Sequence, residues 1–175
     1  DVKLVAVCKK QPIELIQAYI DAATSSGQLP ILAENYVQDL KAHRPGLHGE
    51  FVPHLIGPLQ SNKVRDAVSS FDLIESVQSE KIARLINSES VRLGRVTAVL
   101  LQVNISEDPA KSGFREPELR TFLSDVLPEL KFLDFRGLMA ITRFYEEPEM
   151  ARPDFRAMNT LAQSLGRGKL ELSMG

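Results

Sequence analysis

The stretch LVAVCKKQP, residues 4–12, contains one complete transition from a strand to a helix. Its apolar residues 4–7 predict a short buried strand, and a cysteine and two lysines follow them. Pro12 then opens the segment PIELIQAYIDAAT, residues 12–24, in which apolar residues recur at helical spacing. Proline suits the first helical position because its missing N–H would have no intrahelical partner there. The stretch therefore predicts a strand, a short turn and a helix.

The same order recurs along the chain. We predict strands in the apolar, β-prone runs 4–7, 29–33, 54–59, 73–77, 96–105, 133–141 and 170–173. Helical periodicity is found in 12–24, 35–43, 79–94, 116–130 and 152–166. Ser79 suits an N-cap and Gly166 a C-terminal cap. Strands that alternate with helices indicate an α/β protein with a parallel sheet.

Two architectures fit this order, an open doubly wound sheet and a TIM-type (β/α)8 barrel. The dinucleotide fingerprint GxGxxG and the P-loop are both absent, which weakens the nucleotide-binding form of the open sheet. Seven βα units favour the barrel, although a complete one takes about 200 to 250 residues. We therefore expect a single (β/α) barrel domain over residues 1–175, begun at strand 1 and stopped after strand 7.

The composition narrows the classes of function. A net charge of −2 gives no sign of a nucleic-acid or membrane-surface binder. No apolar run approaches the roughly 18 residues that a membrane-spanning helix needs. The single cysteine excludes an intrachain disulfide, and no Cys/His cluster points to a metal site. We expect a cytoplasmic protein with no metal, nucleic-acid or membrane partner.

The two lysines of the opening stretch are not equivalent. Side chains alternate along a strand, so Val5, Val7 and Lys9 share one face while Cys8 and Lys10 share the other. Barrel enzymes carry their chemistry on polar residues at the carboxyl ends of strands. Lys9 at such an end would face the barrel mouth. Alternation does not say which face is interior, and two solvated lysines in a turn remain the alternative.

Polar residues also occur in or after other predicted strands. Asn35 is either a helix cap or a ligand contact. Gln102 and Asn104 are either satisfied core amides or contacts to a ligand. Met139 can pack in the core or against a ring. His54 has no visible carboxylate partner in the sequence, which favours a satisfied or partly exposed histidine.

Seven motifs in order resemble one known family. They are LVAVCK, ENYVQDL, HLIGPLQSNK, LLQVNIS, KSGF, RGLMAI and LSMG, between residues 2 and 175. Their order and spacing are similar to those of the pyridoxal-phosphate homeostasis protein family, single-domain relatives of the barrel half of alanine racemase. The resemblance implies a (β/α)8 barrel of the alanine racemase N-terminal type, carrying pyridoxal 5′-phosphate as an internal aldimine on a lysine.

The resemblance also implies roles for individual residues. The family's Schiff-base lysine matches Lys9, the lysine that alternation sets apart from its neighbour. The family's other cofactor-binding positions match Asn35, His54, Met139, Ser173 and Gly175. The last two begin the loop that leads to the phosphate site. Cys8 stands where the family usually has a serine before the lysine.

Family members extend beyond both ends of this sequence. A helix precedes their strand 1, and after the Ser-Met-Gly motif they continue into strand 8 with an arginine and glycines that surround the phosphate. We therefore expect both termini to be truncated or left out of this sequence. If the chain is cut there, weak or absent cofactor binding and an open barrel edge are expected.

The function implied by the resemblance is vitamin B6 and amino-acid homeostasis. The protein would bind and deliver pyridoxal 5′-phosphate without clear catalytic turnover, with apo pyridoxal-phosphate enzymes as recipients. Racemisation commonly needs two acid/base groups, and alanine racemase takes one from a tyrosine of a second domain and subunit. A small pyridoxal-phosphate-dependent amino-acid racemase with Lys9 as base is the alternative. The small size and missing second domain predict a monomer.

Overall fold

The computed structural model describes residues 2–109 and 111–174. Its centre is a parallel sheet of seven strands that lie side by side in chain order. The strands are β1 (Val5–Val7), β2 (Ile31–Glu34), β3 (Val52–Leu55), β4 (Leu73–Val77), β5 (Thr97–Gln102), β6 (Leu133–Ala140) and β7 (Glu171–Met174). Neighbouring strands pair in parallel throughout, so the expected parallel sheet is confirmed.

Helices form the connections between the strands, as parallel pairing requires. They are α1 (Ile13–Ser25), α2 (Val37–His43), α3 (Val64–Ser70), α4 (Glu80–Leu93), α5 (Glu116–Thr121) and α6 (Arg152–Ser164). A π-helical segment, Phe122–Val126, continues α5. Short 3₁₀ turns occupy Arg44–Gly46, Ser61–Lys63, Leu127–Glu129 and Pro148–Ala151. Within the described ranges, no helix is both long and apolar enough to cross a membrane.

The helix ends follow local sequence chemistry. The hydroxyl of Ser79 accepts the N–H of Ile82 at 3.4 Å, so the expected N-cap of α4 is confirmed. Gly94 ends the same helix in the left-handed region at φ 64°. Gly166 follows α6 with φ 62°, as a C-terminal cap does. Pro12 precedes α1 as its cap residue, with an extended backbone at ψ 150°, and does not take the expected first helical position.

Two features of the third βα unit differ from expectation. The strand expected over 54–59 lies at Val52–Leu55, because the backbone leaves the ladder before Gly57 and Pro58. The last contact to β2 is the N–H of Ile56, which donates to the carbonyl of Glu34 at 3.0 Å. Helix α3 was not predicted, because its seven residues are too few to show a clear helical period.

Two hydrophobic clusters distinguish the inside of the curled sheet from its outside. The outer cluster combines helix residues such as Ile86 and Leu119 with Val99 and Leu101 of β5. The interior cluster consists of strand residues alone, which are Leu73, Ala98, Leu100 and Met139. Residues of β5 alternate between the two clusters, as a strand covered on both faces requires.

Candidate functional site

Cys8 shows which face of β1 is interior. Its side chain is buried against Ile16 of α1 and Leu32 of β2, and it therefore lies on the helix-covered outer face. Alternation then assigns Val5 and Val7 to the interior face. The same alternation, carried on past Cys8, directs Lys9 toward the interior side of the sheet.

Lys9 and Lys10 form the turn that joins β1 to α1. The N–H of Gln11 donates to the carbonyl of Cys8 at 3.0 Å and closes the turn around them. Lys10 has a left-handed backbone at φ 59°. Both lysine side chains are exposed. The Lys9 amine is thus accessible from solvent at the carboxyl end of β1.

Asn35 directly follows β2 and is half-buried. The cap residue of α2 is Tyr36, so Asn35 does not take the cap position that the sequence allowed. Val7 pairs with Ala33, and the ladder continues through the N–H of Cys8, which donates to the carbonyl of Ala33 at 2.9 Å. Lys9 and Asn35 each come two residues after that pair, one row nearer the mouth.

His54 lies in β3 beside Ala33, on the interior face. Its Nδ1 is 2.6 Å from Oε1 of Glu75 in β4, and the two residues are 8% and 1% exposed. His54 is therefore a satisfied histidine, as expected, although its carboxylate partner was not predicted from the sequence. A signal for Glu75 was present in the sequence, because a carboxylate inside the apolar run LIESV cannot be buried without a partner.

The second carboxylate oxygen of Glu75 is also informative. Oε2 is buried and has no hydrogen-bond partner among residues 2–109 and 111–174. Buried polar atoms are nearly always satisfied, so such an atom in a barrel interior indicates space for a polar group of a ligand or a water molecule.

Met139 and Ser173 lie next to each other across β6 and β7. The register pairs Gln102 with Met139 and Met139 with Ser173. Met139 is buried in the interior cluster, while Ser173 is half-buried on an edge strand of the described sheet. Gly175 lies outside the described residues.

The amides of Gln102 and Asn104 have partners in the loop after β5. Nε2 of Gln102 donates to the carbonyl of Ser112 at 2.9 Å. Nδ2 of Asn104 donates to the carbonyls of Asp108 at 2.8 Å and Lys111 at 3.2 Å. Both amides are therefore satisfied by backbone carbonyls, as the first of the two alternatives expects, and they order the loop after β5.

A second Glu–His pair, with a buried carboxylate and a half-buried imidazole, lies on the outer face. Oε1 of Glu34 is 2.8 Å from Nδ1 of His43 in α2. Burial raises the pKa of Glu34, and the hydrogen bond from His43 opposes that rise. Burial also raises the pKa of the Cys8 thiol to about 11, with the Glu34 carboxylate adding to the effect. Neither group faces the interior, so neither is in position to contact a ligand there.

The site combines the accessible amine of Lys9, the hydrogen-bonded imidazole of His54 and the apolar interior cluster around Met139. The carboxyl ends of parallel strands lie at the same edge of a sheet; Lys9 and Asn35 follow β1 and β2 there, and His54 lies in the neighbouring β3. Met139 and Ser173 come from β6 and β7. A primary amine above apolar residues with few polar groups suits a small planar ligand that carries a carbonyl group.

Comparison with known proteins agrees with the fold and the motifs. The sequence model of the family described as alanine racemase, N-terminal domain, matches residues 1–175. The pyridoxal phosphate homeostasis protein of Vibrio alginolyticus is 34% identical over 172 residues, which are 94% of this chain and 70% of that protein.

Solved structures of PipY from Synechococcus elongatus have the same fold. The structure without PLP is 36% identical with a TM-score of 0.86, and the match covers 99% of this chain and 81% of that chain. The structure with PLP bound is 32% identical with a TM-score of 0.80, covering 95% and 75%. The barrel expected from the motifs is thereby confirmed. The chain belongs to the alanine racemase N-terminal domain family, in the group of the pyridoxal phosphate homeostasis proteins.

Proposed function

We propose that this protein binds pyridoxal 5′-phosphate through Lys9 and serves vitamin B6 and amino-acid homeostasis as a cofactor-binding and delivery protein. The observation that carries the proposal is the position of Lys9, which is exposed just past the carboxyl end of β1, on the side that alternation from Cys8 assigns to the interior. The names of the relatives and the PLP-bound structure of PipY support the choice of ligand.

The residues at the barrel mouth fit this cofactor. Pyridoxal 5′-phosphate supplies, when bound, an aldehyde that a lysine amine converts reversibly into a C=N linkage with release of water. Such a ligand needs an accessible amine, an apolar surface for its ring and polar partners for its substituents. Lys9 provides the first, the interior cluster around Met139 the second, and His54 with the unpartnered oxygen of Glu75 part of the third.

Each of these residues has a separate task in the proposal. Lys9 holds the ligand covalently, and its exposure lets solvent reach and reverse the bond. Asn35 and His54 orient the ring from β2 and β3. Met139 supports one face of the ring, because a soft thioether packs well against aromatic surfaces. Ser173, half-buried beside Met139, would help to hold the phosphate.

The placement of two of the three tyrosines supports delivery over turnover. Tyr19 packs against the cluster that Cys8 forms with residues of α1 and β2, and the hydroxyl of Tyr145 donates to Asp154 at 2.8 Å. Tyr36 is exposed at the start of α2. Neither Tyr19 nor Tyr145 is available as the second base that racemisation commonly needs. Apo pyridoxal-phosphate enzymes are the proposed recipients, and the protein is proposed to act as a cytoplasmic monomer.

The first test is a titration with pyridoxal 5′-phosphate, followed by the visible absorbance of the lysine-bound cofactor. We expect a saturable band that Lys9→Ala abolishes. Lys10→Ala is the matched control, since it removes the adjacent exposed amine from the same turn and should leave the band. A band that survives Lys9→Ala, or is lost equally in both variants, would contradict the assignment.

A small amino-acid racemase remains the alternative, and one observation favours it. The buried His54–Glu75 pair offers a second acid/base group in the interior. Exchange of the α-proton of D- or L-alanine in deuterated buffer would reveal such turnover. We expect no exchange above background at high protein concentration, and exchange that depends on both Lys9 and His54 would replace the delivery proposal.

A further inference from the structure

Strand β4 carries an irregularity beside the candidate site. Ile74 pairs with Val99, and Val77 pairs with Leu101. The second pair is therefore three residues further along β4 but only two residues further along β5. Ile74 and Val77 both belong to the outer cluster. An odd number of steps between two residues on one face requires an extra residue, which is a β-bulge.

Alternation along β4 accounts for the direction of Glu75, which comes two residues after Leu73 of the interior cluster and points inward to His54. The bulge falls on residues 75–76, so that Val77 faces outward again directly beyond this inward carboxylate. The hydroxyl of Ser76 donates to the carbonyl of Gly57 at 2.5 Å and holds the bulge to the loop after β3. Bulges often re-aim a side chain next to a functional site.

The hydrogen bond between Nδ1 of His54 and Oε1 of Glu75 restricts the histidine. An imidazole has two nitrogens, and this bond occupies one of them. Nε2 is then the one ring nitrogen of His54 left for a ligand. A side chain that is already held in one orientation loses less entropy when a ligand binds.

We propose that Glu75 is a positioning residue of the cofactor site, which acts through His54 and raises the affinity for pyridoxal 5′-phosphate. This inference rests on the proposed function. Glu75 fixes the imidazole so that Nε2 is presented to the ligand. Without the carboxylate, the ring can turn and offer either nitrogen, and binding must select one arrangement.

The experiment measures the dissociation constant for pyridoxal 5′-phosphate from the Lys9-dependent absorbance band. We expect Glu75→Gln and Glu75→Leu to weaken binding about tenfold, in line with the effect of removing the partner that orients a functional histidine. Glu34→Gln is the matched control, because Glu34 also bonds Nδ1 of a histidine but on the outer face. It should stay within about twofold of wild type.

A double-mutant cycle tests whether Glu75 affects binding through His54. In a His54→Gln background, Glu75→Gln should have little further effect, because there is no imidazole left to orient. Full additivity of the two substitutions would overturn the proposal. So would an unchanged dissociation constant in both Glu75 variants while the wild-type band still depends on Lys9. If the wild type forms no such band, the proposed function fails and this inference fails with it.

Nitrogen NMR of the histidine rings distinguishes a positioning role of Glu75 from a merely structural one, because it reports the hydrogen bonding of each ring nitrogen of His54. We expect the wild type to show Nδ1 of His54 protonated and bonded, and Nε2 to shift on addition of pyridoxal 5′-phosphate. Glu75→Gln should change the ring spectrum before any ligand is added. An Nε2 signal of the wild type that does not change when the ligand is added would overturn the proposal, even if the Glu75 variants do not fold.

Discussion

Gly57 packs against the backbone of Asn35 so closely that a Cβ atom at position 57 would overlap the carbonyl oxygen of Asn35. This contact sets the distance between the loop after β3 and the end of β2. The carbonyl of Gly57 in turn accepts the hydroxyl of Ser76. The ends of β2, β3 and β4 are thus joined at the candidate site through one small residue.

Gly57→Ala should therefore damage both stability and binding. The added methyl meets backbone, which cannot move aside as a flexible side chain can, so we expect a loss of about 1–3 kcal/mol in the free energy of unfolding. Displacement of Asn35 should also weaken binding of pyridoxal 5′-phosphate. Urea denaturation and the cofactor titration measure the two effects.

Gly94→Ala is the control for this substitution. Position 94 has open space but a left-handed backbone, so its cost should be about 1 kcal/mol with no effect on binding. Unchanged binding in Gly57→Ala would show that the contact does not position Asn35.

The Cys8 thiol should be nearly inert in the folded protein. Burial raises its pKa to about 11, and the thiolate is the reactive form, so at pH 8 only about one thiol in a thousand is ionised. We expect very slow reaction with a chromogenic disulfide reagent, and complete reaction once guanidinium unfolds the chain. Rapid labelling of the native protein would contradict the outward, buried position of Cys8.

Glu34 should make the folded state less stable as the pH rises. Burial raises its pKa in the folded state above the ordinary value of 4.5, although His43 opposes the shift. The folded protein then binds this proton more tightly than the unfolded chain does. The stabilising contribution is complete below about pH 4.5 and is lost as the pH rises through the raised pKa.

The measurement compares wild type with Glu34→Gln by urea denaturation across this pH range. The free energy of unfolding of wild type, minus that of the variant, should fall as the pH rises. Glu80→Gln removes an exposed carboxylate paired with Arg84 and should give a difference that changes much less. A difference that rises for Glu34→Gln would show the opposite sign of the pKa shift.

Asp154 should hold two loops of the barrel mouth to α6. Its Oδ2 accepts the hydroxyls of Ser106 and Tyr145, each at 2.8 Å, and these residues come from the loops after β5 and β6. Ser106→Ala and Tyr145→Phe should each cost about 0.5–1.5 kcal/mol, the usual net value of one hydrogen bond. Asp154→Ala should cost more than either, as measured by denaturant unfolding. If its cost equals that of one single variant, the second bond contributes nothing.

The sequence predicted the order of strands and most helices because hydrophobic periodicity is a local property. It did not reveal α3, whose seven residues are too few to show a period, and it set β3 too late. In both cases local signals were weaker than tertiary packing, which buries Val64 and Val68 of α3 in the outer cluster.

The sequence by itself also determined that Lys9 shares a strand face with Val5 and Val7, since alternation follows from the geometry of an extended chain. It could not determine which face is interior. That was decided by the packing of Cys8 against α1, which depends on how a helix folds back over the sheet.

Only the tertiary structure brought Glu75 to His54. The two residues are separated by 21 positions in the chain, and the register that sets His54 beside Leu73 brings the carboxylate to the imidazole. Strand register and bulges depend on contacts between strands, so no local pattern in either segment encodes the pair. In the interior of the barrel, Nδ1 of His54 is therefore hydrogen-bonded to Glu75, and Nε2 is left for a ligand.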